Sequence, residues 1–317
     1  MLTKIVRSLK AHEGYLSGED ISRSLDISRA AIWKYMDQLR DLGYEIEAFP
    51  HRGYRLVSCP DRLLRSEVQC GLGTRKFGCD VHHYDSVGST MDEAFRLGLA
   101  GAPEGAVVVA EAQTKGRGRM GRNWSSPKGK GIYFSLILRP KLPPSQAAML
   151  TLAAAVAVSE SIEKIIPRVK ARIKWPNDLL VGGKKLCGIL TELRAETDRV
   201  QFIVVGVGIN VNTTSTQLLP EATSLRVETD AVCSRIILFQ EILRNFEKRY
   251  SLFLKNGPSA VVADWKERSA TLGCKVKFME RGDPRVGVAE DLADDGGLLI
   301  RMPDGKIIKR VAGDILL

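Results

Sequence analysis

Between Ala112 and Ser159 the 317-residue chain carries five glycines, eight basic residues and no acid. At its centre lies Lys115-Gly116-Arg117-Gly118-Arg119-Met120-Gly121-Arg122-Asn123-Trp124, followed by Ser125-Ser126-Pro127-Lys128-Gly129-Lys130-Gly131. Pro127, Gly129 and Gly131 forbid a helix here. Glycine lets the backbone take positive φ and approach a ligand closely, and arginine forks grip phosphate or carboxylate at two points. The glycine-rich stretch Lys115–Gly131 therefore reads as loop, and its composition suits closure over a small, multiply charged anion.

Gly116, Gly118 and Gly121 match the dinucleotide fingerprint in spelling alone. That fingerprint needs a helix directly after the glycines and an acid about 20 residues on, whereas the next acid here is Glu160. No Walker A sequence ending in Gly-Lys-Ser/Thr occurs, nor any His-Arg-Asp or Asp-Phe-Gly triplet. A basic surface loop touching nucleic acid stays open at this point. Downstream, Ile132–Leu138 reads as a buried strand, Gln146–Ile166 as an alanine-rich helix stopped by Pro167, and Ile173–Asp178 as a turn in apolar sequence. Gly182-Gly183-Lys184-Lys185 forms a hairpin turn into the strand Leu186–Glu192, and Phe202–Val207 is a further strand leading to Gly208-Ile209-Asn210-Val211-Asn212.

The Gly116–Trp124 loop, the Lys174–Asp178 segment with Lys185 and Gly188, and Gly206–Asn212 together resemble the biotin–protein ligases, in that family's order and spacing. The resemblance implies a two-step reaction. A biotin carboxylate attacks the α-phosphorus of ATP to give biotinyl-5'-AMP and pyrophosphate, and a lysine of a carboxylase's biotin carboxyl-carrier protein then takes the biotin. The first step brings two anions together, so fixed positive charge is its main need. The second needs the adenylate shielded from water. By the same resemblance Ser89, Thr90 and Gln113 hold the polar ring of biotin, and Arg117 and Arg119 lie nearer its carboxylate. Gly116, Gly118, Gly188, Gly206 and Gly208 admit the ligand to the backbone. Lys185 reaches the carboxylate and α-phosphate, Arg119 and Arg122 hold phosphates, Trp124 covers adenine, and Asn177 and Asn210 contact the nucleotide. Asp178 is the implied Mg²⁺ partner and helps deprotonate the attacking lysine, so Arg119, Lys185 and Asp178 form the implied catalytic set. Met91, Met120, Leu180 and Cys187 stand where the family more often has an amide, a basic or polar residue, an aromatic and an alanine.

Several of these residues have plain structural readings. Thr90 and Glu93 spell a capping box for a helix Met91–Leu99. Asn177-Asp178 after Pro176 suits an ordinary turn, Lys184 is solvated hairpin charge, and His82-His83 lacks partner ligands for a metal. Trp124 sits among Gly, Ser and Pro, which favours a ligand-covering role over a core one.

Residues 1–60 form a different unit. Leu16–Asp20 opens a helix with Ile21 and Leu25 on one face, and Ser28 caps a second helix with Ile32, Met36 and Leu39 inward, which is helix-turn-helix spacing. Gly43–Phe49 and Tyr54–Val57, joined at Pro50–Gly53, make a wing. Ser28, Arg29, Ala30, Trp33, Lys34, Arg52 and Arg55 are its candidate DNA contacts, although winged helices also serve as protein-binding modules. Nine Lys and Arg against eight Asp and Glu leave this unit at only +1, so most of the chain's net +10 belongs to the anion-binding window. A nearly neutral reader needs two copies on a two-fold operator. Ser28-Arg29-Ala30-Ala31-Ile32 and Arg40-Asp41-Leu42-Gly43 resemble the repressor domain of bifunctional bacterial ligases. That resemblance implies biotinyl-adenylate as a corepressor that favours a homodimer.

From Ser269 short strands recur, at Lys275–Phe278, Arg285–Ala289, Leu298–Met302 and Lys306–Val311, resembling the family's SH3-like cap. The expected whole is an α+β multidomain chain. A winged helix-turn-helix spans residues 1–60. A central mixed β-sheet with helices (biotin/lipoate ligase fold, class II synthetase-like) spans 61–268, and a small SH3-like β-barrel spans 269–317. No apolar run reads as membrane-spanning, no signal peptide is evident, and six scattered cysteines suit a reducing cytoplasm. The expected function is ATP-dependent biotin–protein ligase and biotin-dependent repressor. The alternatives are a non-catalytic biotin sensor and a lipoate or octanoate ligase.

Overall fold

A computed structural model describes residues 1–196, 199–280 and 282–317. The chain divides into two compact units, Met1–Leu72 and Gly73–Leu317. The first contains α1 (Leu2–Lys10), α2 (Gly18–Leu25), α3 (Arg29–Asp41), β1 (Glu45–Phe49), β2 (Gly53–Ser58) and α4 (Arg65–Gln69). Ile21, Ile32, Met36 and Leu39 meet in its core as the spacing predicts, with Leu25 packed partly against them. β1 and β2 pair antiparallel as the wing. This unit extends twelve residues past the expected boundary at residue 60, because Glu67 ties α4 to it. Glu67 is buried, accepts from Tyr44 Oη at 2.7 Å and pairs with Lys10 at 2.6 Å.

The second unit continues with β3 (Val81–Tyr84), α5 (Thr90–Leu99), β4 (Val107–Ala110), β5 (Gly131–Leu138), α6 (Ala148–Ile165), β6 (Arg172–Lys174), β7 (Asp178–Val181), β8 (Lys184–Ala195) and β9 (Val200–Asn210). After these come α7 (Leu225–Thr229), α8 (Arg235–Asn256), α9 (Pro258–Glu267), β10 (Lys275–Glu280), β11 (Asp283–Leu292), β12 (Leu298–Arg301), β13 (Ile307–Arg310) and β14 (Ile315–Leu316). Seven strands form a mixed sheet in the order β3-β4-β5-β9-β8-β7-β6, with β3 and β4 parallel and the other neighbours antiparallel. Every residue of β5 is buried because both faces of the sheet are covered. Ser135 and Ile137 turn toward α5, and Phe134 packs on Phe239 of α8 with ring centroids 4.9 Å apart. The last five strands form a second antiparallel sheet, β13-β12-β11-β10-β14, whose final strand the sequence pattern did not reveal.

Two expectations change. Pro144–Ile165 is long and apolar enough to cross a membrane by length and composition, but 72% of that window is buried, with α6 packed against α8, α9 and the sheet. The helix at Thr90 is capped by Ser89, not Thr90: Ser89 Oγ accepts from Met91 N at 3.2 Å. Glu93 cannot close a capping box, since its carboxylate is held by Arg96 and Tyr84, each at 2.6 Å.

Candidate functional site

Three glycines create bare sheet under the basic loop. Gly188 of β8 lies directly across from Gly208 of β9, and Gly206 shares Gly208's face by the two-residue alternation of a strand. A Cβ on Gly208 would stand 2.4 Å from Trp124 Nε1, one on Gly188 3.0 Å from the same indole, and one on Gly206 2.4 Å from Met91 Sδ. The glycines therefore admit Trp124 and Met91 to the sheet, where the sequence reading had them admitting ligand alone. Trp124 stands half-buried on this patch, with its indole N–H buried and unpartnered.

At one end of the cleft four side chains form a polar chain. Ser135 Oγ donates to Thr90 Oγ1 (2.9 Å), Thr90 Oγ1 to Gln113 Oε1 (3.0 Å), and Gln113 Nε2 to Ser126 Oγ (2.9 Å). Thr90 N also donates to Gln113 Oε1 at 2.8 Å, which fixes the amide's orientation. Ser126 and Ser135 were not singled out from sequence, because a serine gives no signal until the fold brings it to a partner. Ser89 is buried as the helix cap and does not line the cleft.

At the other end sit the cations, each with a carboxylate. Lys185 Nζ lies 2.8 Å from Asp178 Oδ1, without the alignment of a hydrogen bond, and 5.6 Å from the centre of the Trp124 ring. Arg117 pairs with Asp92 at 2.6 Å and Glu192 at 3.1 Å. Arg122 pairs with Asp314, and Arg119 reaches Asp314 at 3.7 Å, Asn177 Oδ1 at 3.1 Å and Gly313 O at 3.4 Å. Asn177 also donates to Ile189 O, so the turn after Pro176 is a fixed platform. Asn210 Nδ2 is spent on Thr223 O at 3.0 Å, which leaves its carbonyl oxygen for a ligand. Cys187 lies beneath the Asp178–Lys185 pair, and complete burial pushes its thiol well above the usual range and keeps it protonated. Met120 is the exposed tip of the loop at φ 54°, and Leu180 is half-buried on β7.

Most of these residues line one cavity of about 1540 Å³, larger than the roughly 300–1,000 Å³ typical of a site for one small ligand. Apart from Ser89, every residue assigned above to biotin, ATP or metal lies on its wall, as does the C-terminal segment Asp314–Leu317. Behind it, Arg235 and Glu111 make a fully buried pair at 2.8 Å, with His83 3.3 Å from the same carboxylate. Arg235 also bonds Gly131 O, and Gly129 N bonds Glu111 O, so this pair anchors the far end of the loop. Sequence reasoning missed it, its partners being 124 positions apart. His82 pairs with Asp80, and no cluster of three or more metal-binding side chains occurs among the described residues.

In the first unit Ser28 Oγ caps α3 by accepting from Ala31 N at 3.2 Å, and Arg29 pairs with Glu19 at 2.9 Å. Ala30, Trp33 and Lys34 are exposed along α3. Arg52 stacks over Tyr15 and Phe49, and Arg55 lies over Tyr15 while pairing with Glu47 at 2.7 Å.

A winged helix followed by a mixed-sheet unit with a cationic, glycine-floored cleft defines a DNA-binding module joined to a carboxyl-activating ligase fold. Family models agree along the chain: an HTH domain over residues 2–55, the biotin/lipoate A/B protein ligase family over 84–210, and the biotin protein ligase C terminal domain over 271–317. The bifunctional ligase/repressor BirA of Bacillus spizizenii is 41% identical over 95% of this chain and 93% of its own. The biotin--[acetyl-CoA-carboxylase] ligase of Mycobacterium tuberculosis is 36% identical over 81% of this chain and 94% of its own. Biotin protein ligase from Aquifex aeolicus, solved with biotin and ATP, superposes with a TM-score of 0.64 at 29% identity, covering 75% of this chain and 98% of that one. The chain belongs to the bifunctional ligase/repressor family of biotin protein ligases.

Proposed function

We propose that the second unit activates biotin with ATP and passes it to a lysine of a biotin carboxyl-carrier protein, and that the first unit carries the resulting signal to operator DNA. One observation bears most of this reading: Arg117, Arg119, Arg122 and Lys185 converge on one cleft, each already paired with a carboxylate. The substrates' own anions would exchange for Asp92, Glu192 and Asp314, so the cost of gathering cations is met before they arrive. Thr90 and Gln113, backed by Ser126 and Ser135, would receive the polar ring of biotin. Lys185 would stand between its carboxylate and the α-phosphate. Trp124 would turn its unpartnered indole N–H and ring toward the nucleotide, and Asn177 and Asn210 would fix the adenosine side. Closure of the loop over the adenylate would exclude water until the acceptor lysine enters.

The residues fit a magnesium ion of the kind held by one carboxylate and substrate phosphates. Asp178 would hold it, its Oδ1 being buried and free of any aligned hydrogen bond. When bound, the ion neutralises phosphate charge. Asp178 would also take the proton of the attacking lysine; a wild-type rate for Asp178→Asn with preformed adenylate would remove that role. Repression would require two copies on a two-fold operator, with the adenylate favouring the dimer, in the cytoplasm.

Mass spectrometry after incubation with ATP, Mg²⁺ and either biotin or lipoate tests the enzyme. Bound biotinyl-adenylate with biotin alone is the expected result. The reverse selectivity would indicate a lipoate ligase, and biotin binding without any adenylate would indicate a sensor.

A further inference from the structure

The face of α3 that a winged helix would offer to DNA is chemically unusual. Its arginine sits in an exposed ion pair: Arg29 reaches Glu19, which Arg23 also holds, so phosphate could exchange for the carboxylate without any base being read. Its serine is spent on capping, and Ala30 carries no polar group. On the wing, Arg52 and Arg55 are stacked on Tyr15. The largest group offered outward is the indole of Trp33, 59% exposed and outside the unit's core. With a net charge of only +1 over residues 1–60, discrimination must come from shape and apolar contact more than from attraction to phosphate.

We propose that Trp33 is the residue with which this unit reads sequence, and that it reads thymine in the major groove. This rests on the repressor reading above. An indole has an apolar ring and a single N–H that can only donate. Thymine alone pairs an apolar group with an acceptor on its major-groove edge, through its 5-methyl and O4. Cytosine presents an amino donor, adenine sets an amino donor beside its N7 acceptor that a donor-only N–H leaves unsatisfied, and neither adenine nor guanine carries a methyl. Lys34, exposed beside Trp33 and in no ion pair among the described residues, would hold the adjacent phosphate.

The test uses the full chain with biotin, ATP and Mg²⁺ to select duplexes from a random library. Each thymine of the selected site is then replaced in turn by deoxyuridine, which removes only the methyl. Wild-type protein should lose about 4-fold in affinity at one or more thymines per half-site, the worth of one methyl taken from water. Trp33→Ala should bind the selected duplex more weakly and no longer distinguish thymine from uracil at those positions, with its salt slope unchanged. Trp33→Phe should keep part of the methyl preference. Because Trp33 lies outside the core, an unchanged melting transition of Trp33→Ala separates lost contact from lost fold. Indifference of the wild type to every methyl, or full discrimination retained in Trp33→Ala, would overturn the inference while leaving DNA binding intact. So would a Trp33→Ala protein that binds DNA normally but loses self-association. Failure to select any sequence would bring down the repressor reading, and this inference with it.

Discussion

At the scale of single residues, the site depends on what is missing as much as on what is present. Gly208 is bare so that a rigid indole can lie on it, and an added Cβ would meet the Trp124 ring at 2.4 Å. Gly208→Ala should therefore displace Trp124 and weaken ATP binding by about tenfold to a hundredfold, the usual cost of misplacing a positioning group. Calorimetric titration with ATP would check it, and unchanged affinity would mean that Trp124 plays no part in nucleotide binding. Glu93 offers a pH-linked counterpart. The guanidinium of Arg96, with a hydrogen bond from Tyr84, holds its carboxyl at about 2 despite some opposing burial. A depressed folded-state pKa stabilises above the unfolded value and loses that contribution as pH falls through the folded one. Glu93→Gln should thus cost about 1 kcal/mol at neutral pH and flatten the decline in stability between about pH 5 and pH 2. Parallel acid titrations of mutant and parent unfolding would reveal it, and superimposable slopes would refute it. Motif residues were legible because their chemistry is local: glycine spacing, a loop of cations, Lys-Trp-Pro-Asn-Asp. The capping residue was less legible: Ser89, not Thr90, serves as the cap, a choice set by the backbone angles where the helix begins.

Among the elements, the strands that carry the site were readable because apolar runs end at glycine and proline, and α2 and α3 because their apolar spacing is regular. What remained hidden was which distant elements meet. β14 is two residues long, too short for any periodicity, yet it seats Asp314 beside Arg119 and Arg122. The last strand of the C-terminal sheet thus pins the middle of the glycine loop, a role that nothing in its own sequence announces. Asp314→Asn should free the loop and speed tryptic cutting after Arg119 or Arg122 about 2- to 5-fold, in proportion to a partly exposed ion pair. Cleavage at the parental rate would show that the contact does not hold the loop. The Arg235–Glu111 pair joins α8 to the end of β4 in the same hidden way. Because the pair is fully buried, Arg235→Met should remove the guanidinium that faces the Glu111 carboxylate and cost about 3–5 kcal/mol in urea unfolding. A loss under about 1 kcal/mol would mean that Glu111 finds another partner or takes up a proton.

For the molecule as a whole, the division at Leu72 has a consequence for how its functions separate. Each unit has its own buried core, and every residue given a ligand role in the cleft lies after Gly73. The shift of the boundary from 60 to 72 was invisible to composition, since Glu67 reads as ordinary helix charge until Tyr44 and Lys10 close around it. A chain beginning at Gly73 should therefore fold and still form adenylate, with no affinity for operator. Residues 1–72 should keep their helical signal but bind the selected duplex about a hundredfold more weakly than the full chain, because a lone half-site reader loses the effective concentration of a linked partner. Adenylate formation followed by mass spectrometry, and fluorescence anisotropy with labelled duplex, give the two readings. If residues 1–72 bound as tightly as the whole protein, dimerisation through the second unit would be irrelevant to repression. If a well-folded 73–317 made no adenylate, the first unit would have to supply something to the chemistry.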